Sequence, residues 1–442
     1  MVSLTFYGGV GEIGGNKILV TDRDTRILLD FGMNFGERSK FYSTPWLAPR
    51  DERGFLEFGL LPKIEGTYVF DEEPAQVDAL FLSHSHTDHT TCLPFLKKEI
   101  AVFCGETTQL LLKAFNETAF GRRSFEKNIE GLHFNTFRTG AKVKVGSMEI
   151  EPIHVDHSVP GAYGFIVHTS EGAVVYSGDF RMHGARADLT ADFAKAAAKS
   201  KPIAMICEGT NLMEAEVSTE LEVESKISQV VAATPGLVLA DFRPADVDRI
   251  RTFQEAAKQN QRQLAISLKQ AYILESLSTD KRLEAPEINS SEFLIFQREK
   301  KRYFNWENAI VDHYANVVDA QKVGELQSKI ILSASYSDFN EMLDIRPEPG
   351  SSFIFSTSEP FNEEMEIQHD KYTNWLDHFG LPMYHIHCSG HIMPAEARKV
   401  VERIAPKKFY PVHTENPGLF ARYVSDVTKV ELPQKGVAYT IS

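Results

Sequence analysis

The apolar run Ala79-Leu80-Phe81-Leu82 leads through Ser83 into His84-Ser85-His86-Thr87-Asp88-His89. A buried strand that delivers four strong metal ligands within six positions needs a sheet to hold it and a sheet end at which the ligands can gather. Side chains two apart on an extended backbone point to the same side, so His84 and His86 can converge on one ion. Asp88 and His89 follow where the chain turns and can face a second. A solitary histidine is ordinarily a satisfied polar residue of core or surface, but packing does not account for this cluster.

A chain of 442 residues can bury a large core and is expected to hold two domains, three at most. Apolar residues make up 43% and charged residues 24%, an ordinary globular balance. No apolar run is long enough to span a membrane. The start, Met1-Val2-Ser3-Leu4-Thr5-Phe6, lacks the basic and apolar segments of a signal peptide. Cys92, Cys104, Cys207 and Cys388 are scattered, which argues against a cysteine zinc site or a disulfide framework and fits a reducing cytoplasm. A net charge of −14 argues against a broad basic footprint for nucleic acid. It says little about one cleft, where bound divalent cations invert the local sign.

Strands are expected at Ser3–Tyr7, Lys17–Thr21 and Arg26–Asp30, at Ala79–Leu82, across Lys142–Ile150, and at Phe165–Thr169 and Ala173–Ser177; Thr107–Thr118 has helical spacing. Between the first two strands, Gly9-Val10-Gly11-Glu12-Ile13-Gly14 matches the G-x-G-x-x-G dinucleotide fingerprint. That fingerprint needs a helix directly afterwards, and the continuation Asn16-Lys17-Ile18-Leu19-Val20-Thr21 is β-rich, so a glycine-rich hairpin is the better reading. After Glu208 the texture changes. Helices at Thr219–Ala233 and Val247–Gln259 alternate with strands at Gly236–Ala240, Leu264–Ser267, Ile330–Ser333 and Phe353–Ser356. This alternation points to an inserted α/β domain with a largely parallel sheet. Ligand-type residues return at Ser389-Gly390-His391 and Pro411-Val412-His413.

Three segments add to the first cluster. Val155-Asp156-His157-Ser158-Val159-Pro160 sets a histidine between strand and turn, Val174-Val175-Tyr176-Ser177-Gly178-Asp179 ends a buried strand in an aspartate, and Tyr410-Pro411-Val412-His413 repeats the strand-then-histidine form. Each alone is a weak signal. Together they supply five histidines and two aspartates, enough for two ions sharing a carboxylate. Imidazole with carboxylate suits Zn²⁺ or Mn²⁺ better than Mg²⁺.

His84-x-His86-x-Asp88-His89, then His157, then Asp179 resemble, in order and approximate spacing, the metallo-β-lactamase fold. Asp30, after Ile27-Leu28-Leu29, matches that family's first motif, whose aspartate orients the ligand loop by hydrogen bonding. Glu208 after Ile203–Cys207, with the segments around His391 and His413, resembles the β-CASP branch, which includes RNase J and the cleavage and polyadenylation endonuclease. The resemblance implies an αββα sandwich (1–208 and 387–442) with a β-CASP α/β domain (209–386) inserted. It implies that His84, His86 and His157 bind one Zn²⁺ (or Mn²⁺), that Asp88, His89 and His413 bind a second, and that Asp179 bridges them. It further implies catalytic parts for Asp88 and His391, with Glu208 positioning a neighbouring histidine. Ser356-Thr357-Ser358 stands where RNase J-like exonucleases hold an RNA 5′-monophosphate with hydroxyl residues, so Ser356, Ser358 and His391 are candidate phosphate contacts; ordinary turn chemistry is an equal competitor. The stretch after His413 is only 29 residues, as in compact archaeal members without a separate C-terminal domain.

The expected activity is that of a zinc-dependent hydrolase, a cytoplasmic 5′→3′ exoribonuclease acting on single-stranded RNA through water activated between two ions about 3.5–4 Å apart. A homodimer is compatible with this reading, and no membrane partner is expected. Three alternatives compete: a β-CASP endonuclease of RNA 3′-end processing, a small-molecule metallo-hydrolase of thioesters or lactones, and a non-catalytic RNA-processing subunit. The second leaves the insertion and His391 unexplained. Filled ligand positions argue against the third.

Overall fold

The computed structural model describes residues 1–43, 46–119, 129–213, 218–358 and 363–442. The chain packs into two compact units, Met1–Ala215 with Gly390–Ser442, and Glu216–Ser389. The sequence reading sets these breaks at 208/209 and 386/387.

The first unit is built on two seven-stranded sheets. One runs in the order Ala438–Ile441, Val2–Gly8, Lys17–Asp22, Thr25–Leu29, Ala79–Phe81, Ala101–Gly105, Phe134–Phe137. The other runs Lys429–Val430, Lys408–Val412, Ala204–Glu208, Ala173–Tyr176, Tyr163–His168, Met148–His154, Val143–Val145. The period of two along each strand sends alternate residues to opposite faces. Val2, Leu4, Phe6, Ile27, Leu29 and Phe81 of one sheet meet Phe165, Val174, Tyr176, Ile206 and Val412 of the other in a single dry core. The intervening residues, such as Leu28, Leu80 and Val102, face outward and are covered by Phe55, Leu93 and Leu112. On the far side Val175, Met205 and Phe409 are covered by Phe193 and Ala197 of helix Ala187–Lys199 and by Val400 and Val401 of helix Pro394–Ile404. The layering is therefore helix, sheet, sheet, helix, the expected sandwich.

The glycine-rich segment is the loop of a hairpin. Val2–Gly8 pairs antiparallel with Lys17–Asp22, and no helix follows to hold a pyrophosphate. The stretch Lys142–Ile150, expected as one strand, is two: Val143–Val145 turns back on Met148–His154. Gly146, at φ 51°, takes the left-handed conformation that this turn needs.

The second unit carries a seven-stranded sheet ordered Val317–Val318, Phe293–Phe296, Gln263–Ser267, Ile330–Ser333, Val238–Asp241, Ser352–Phe355, Met383–His385. Every neighbouring pair is parallel. Phe293–Phe296, Ile330–Ser333, Val238–Asp241 and Ser352–Phe355 are largely apolar, buried runs, as strands covered on both faces require, while the edge strands Val317–Val318 and Met383–His385 are half-buried and exposed.

Candidate metal centre

The candidate ligands of the first unit come from strand ends. His84, His86 and the short helix Thr87–Thr90 follow Ala79–Phe81, His157 follows Met148–His154, and Asp179 follows Ala173–Tyr176. His413 follows Lys408–Val412, which runs parallel to Ala204–Glu208 and, through it, to Ala173–Tyr176. Parallel strands place their carboxyl ends along one edge, the place where α/β sheets commonly gather ligands. Two residues there have left-handed backbones, Asp30 at φ 57° and His413 at φ 50°. Such conformations persist only where the surroundings hold them.

Two groups of side chains result. Ligand atoms of His84, His86, His157 and Asp179 lie within 4.8 Å of one another, and so do those of Asp88, His89, Asp179 and His413. Asp179 belongs to both. A third group, Glu208, His391 and His413, adjoins them. In the first, His86 Nδ1 is 3.0 Å from Nε2 of His84 and 3.0 Å from Nε2 of His157. In the second, Asp179 Oδ2 is 3.1 Å from His89 Nε2 and 3.6 Å from His413 Nε2, while Asp88 Oδ2 is 3.1 Å from His413 Nε2.

The outer ring nitrogens are committed elsewhere, which aims the inner ones. His84 Nδ1 pairs with Ser83 Oγ at 2.9 Å, His157 Nδ1 with the Gly390 carbonyl at 2.6 Å, His89 Nδ1 with Asp30 Oδ2 at 2.7 Å, and His413 Nδ1 with Thr210 Oγ1 at 2.8 Å. A proton on Nδ1 leaves the Nε2 lone pair pointing inward, the usual outer arrangement of a metal-ligating histidine. Asp30, buried, accepts from the Ser83 amide and hydroxyl, from His89 and from the Tyr176 hydroxyl, all at 2.7 Å.

These residues fit a divalent cation on their own chemistry. Asp179 Oδ1 is buried without a hydrogen-bond partner in the middle of the cluster. Such an orphaned polar atom needs an explanation, and an unfilled coordination sphere supplies one. Burial, and then the charge of His89, holds His84 well below the ordinary imidazole range; burial, and then His86, does the same to His157. Neutral imidazole is the form that ligates. Burial opposes charge on His89, yet Asp179, Asp88 and Asp30 override it and hold its proton on. Three carboxylates, two of them buried, thus draw one positive charge into the pocket, and a metal ion would meet the same demand.

His391 is 22% exposed. Its Nδ1 lies 3.2 Å from Glu208 Oε1, 3.2 Å from Thr210 Oγ1 and 3.8 Å from Asp179 Oδ2. Burial works against its charge, but Glu208, then Asp179 and Asp88, lift its pKa to about 9. Glu208 also accepts from the Thr210 amide and hydroxyl, at 3.0 and 2.8 Å. Nothing in the sequence marks Thr210 or the Tyr176 hydroxyl. A lone hydroxyl carries no spacing signal, and what makes each matter is a partner far away in the chain.

The hydroxyl candidates lie in the second unit. Ser356 is buried; its hydroxyl donates to the Ile386 carbonyl at 2.6 Å and accepts from the guanidinium of Arg249. Arg249 in turn reaches Glu220 at 3.1 Å. Ser356 is therefore committed to packing, whereas Ser358 stands partly exposed after the strand.

A family model described as the beta-lactamase superfamily domain matches residues 62–206. Over 426 residues the chain is 23% identical to Ribonuclease J 1 of Streptococcus pyogenes, covering 94% of this chain and 69% of that protein. It is 24% identical to Ribonuclease J of Sinorhizobium meliloti over 437 residues, and 24% identical to Ribonuclease J of Thermus thermophilus over 435, with 94% of this chain covered each time and 69% and 68% of those proteins. A crystal structure of an Enterococcus faecalis protein of unknown function shares the fold, with a TM-score of 0.78 at 19% identity over the whole of both chains. The matched domain and these likenesses together make the chain similar to the beta-lactamase superfamily over residues 62–206 and to Ribonuclease J over most of its length.

Proposed function

We propose that the chain is a metal-dependent ribonuclease of the RNase J type that hydrolyses RNA phosphodiesters, working 5′→3′ from a monophosphorylated end. One observation carries the reading: two four-residue His/Asp groups share Asp179, with His391 beside them. Each group would hold one Zn²⁺, or Mn²⁺, with Asp179 between. When bound, such ions supply Lewis acidity toward a phosphoryl oxygen and make nearby water a better nucleophile at neutral pH. The chain's own residues do the rest. Asp30 fixes the ring of His89 and the Ser83 peptide, and so the ligand loop. Glu208 and Thr210 hold the Nδ1 side of His391, so a protonated His391 presents Nε2–H as a donor for charge on a phosphate oxygen.

Ser358 is the proposed contact for the RNA 5′-phosphate, with Ser356 acting through packing. A cytoplasmic location is proposed from the four free, buried cysteines. No helix among the described residues is long and apolar enough to cross a membrane. A homodimer is part of the same proposal.

Asp88→Ala and His89→Ala are expected to lower cleavage of a labelled RNA by at least a thousandfold while the circular-dichroism spectrum stays unchanged; retained turnover sinks the reading. The same assay on RNAs with 5′-monophosphate, 5′-triphosphate or 5′-hydroxyl ends, linear and circular, tests the direction of attack. Cutting of the circle replaces exonuclease with endonuclease action, and turnover of a thioester with no action on RNA replaces the nuclease altogether.

A further inference from the structure

The glycine-rich hairpin loop is wrapped around one of the two His/Asp groups. The three atoms nearest a side chain built at Gly14 all belong to Asp88, and a Cβ there would come within 2.8 Å of Asp88 Cβ and Oδ2. Gly14 also has φ 76°, which an L side chain rarely adopts. The Gly15 amide donates to the Asp88 carbonyl at 3.0 Å, and the Gly9 carbonyl accepts from the His413 amide at 2.8 Å. Gly32 presses on the same peptide from the end of another strand: a Cβ there would lie 1.6 Å from the Asp88 carbonyl oxygen.

The loop is itself held by two buried charges. Glu12 accepts from the Gly9 amide at 3.0 Å and from Lys435 at 2.7 Å. Lys17 is 3% exposed and donates to the carbonyls of Gly15, at 3.0 Å, and of Gly32. An ammonium this buried, at the start of the strand Lys17–Asp22, joins the two segments that pinch Asp88. The other group is held by different means, His84 by Ser83 and His157 by the Gly390 carbonyl.

We propose that the Gly9–Gly15 loop, stapled by Lys17, is a positioning device for one ion only: it sets Asp88 and His413 and leaves the group of His84, His86 and His157 to its own supports. This inference rests on the two-ion reading above. It assigns a role to a motif that looks like a nucleotide loop, and it makes the two metal sites separately tunable.

The test titrates the metal-free protein with Zn²⁺ in a calorimeter and counts bound zinc by mass spectrometry after desalting. The unaltered chain is expected to hold two ions. Gly14→Ala and Lys17→Met are expected to hold one as tightly as before and the other at least tenfold more weakly. Gly14→Ala added to Asp88→Ala should weaken zinc no further than Asp88→Ala alone, whereas Gly14→Ala added to His86→Ala should impair both sites. Two ions held by Gly14→Ala with unchanged affinity overturn the proposal, and so does equal weakening of both. Loss of the circular-dichroism signal of the folded Gly14→Ala chain also overturns it, since a loop that positions one ion should not decide whether the chain folds. A single ion in the unaltered chain defeats the two-ion reading itself, and the proposal with it.

Discussion

Asp30 carries more of the candidate centre than any residue that would touch an ion. Its carboxylate takes four hydrogen bonds in a fully buried position, and Asp30→Ala leaves the Ser83 hydroxyl, the Tyr176 hydroxyl and His89 Nδ1 without their acceptor. Each stranded donor costs roughly 1–3 kcal/mol, so guanidinium denaturation of Asp30→Ala should show a loss of about 3 kcal/mol or more. Zinc affinity should fall about 10- to 100-fold in the same variant, measured by calorimetry. At this scale the sequence was informative for residues that stand in clusters. Four ligand-type residues in six positions stand out as a cluster, and strand-end His157, Asp179 and His413 gain meaning as candidates from that first cluster. Tyr176 and Thr210 stayed invisible because each acts through one hydroxyl on a partner over a hundred residues away. Ser356 was visible as a hydroxyl, but its engagement with Arg249 was not.

Among the elements, short strands of branched and aromatic residues were legible because each is an apolar run bounded by turns. Helix Ala187–Lys199 gave no comparable signal: its buried stripe is Thr190, Phe193, Ala194 and Ala197, and alanines contrast weakly with the solvent face. Phe293–Phe296 is ambiguous for a different reason, since four apolar residues in a row fit a buried strand and a helix turn alike. The helix Glu220–Ala233 shows how a buried charge ties elements together. Glu220 lies at its first turn and faces Arg249 of helix Val247–Gln259, at 3.1 Å with both side chains buried. Glu220→Ala strands the guanidinium and should cost about 3–5 kcal/mol in urea unfolding. Replacing both partners by apolar residues of similar volume should recover most of that loss.

For the molecule as a whole, two groups of the second unit pull its acid stability in opposite directions. Burial, and then the Arg249 guanidinium, pushes His387 down to about 3. Unfolded histidine titrates near 6.5, so the unfolded chain binds this proton first, and stability should fall as the pH drops from about 6.5 toward 3, at up to about 1.4 kcal/mol per pH unit. Burial lifts Asp241 to about 6, against the hydrogen bond it accepts from Tyr372. An unfolded aspartate titrates near 3.9, so its contribution is complete in acid and is lost as the pH rises from about 4 to 6. His387→Asn should therefore flatten the acid side of a stability profile and Asp241→Asn should steepen it, read from urea midpoints between pH 4 and 7. The order of residues in the first unit has a consequence in time. Asp179 is translated early, His391 and His413 only after the whole parallel-sheet unit. At ordinary rates of synthesis the gap between Asp179 and His413 lasts on the order of ten to fifty seconds. During that interval the nascent chain owns most of the candidate metal pocket but neither His413 nor His391. A pocket assembled in this order is completed only after the parallel-sheet unit has been made.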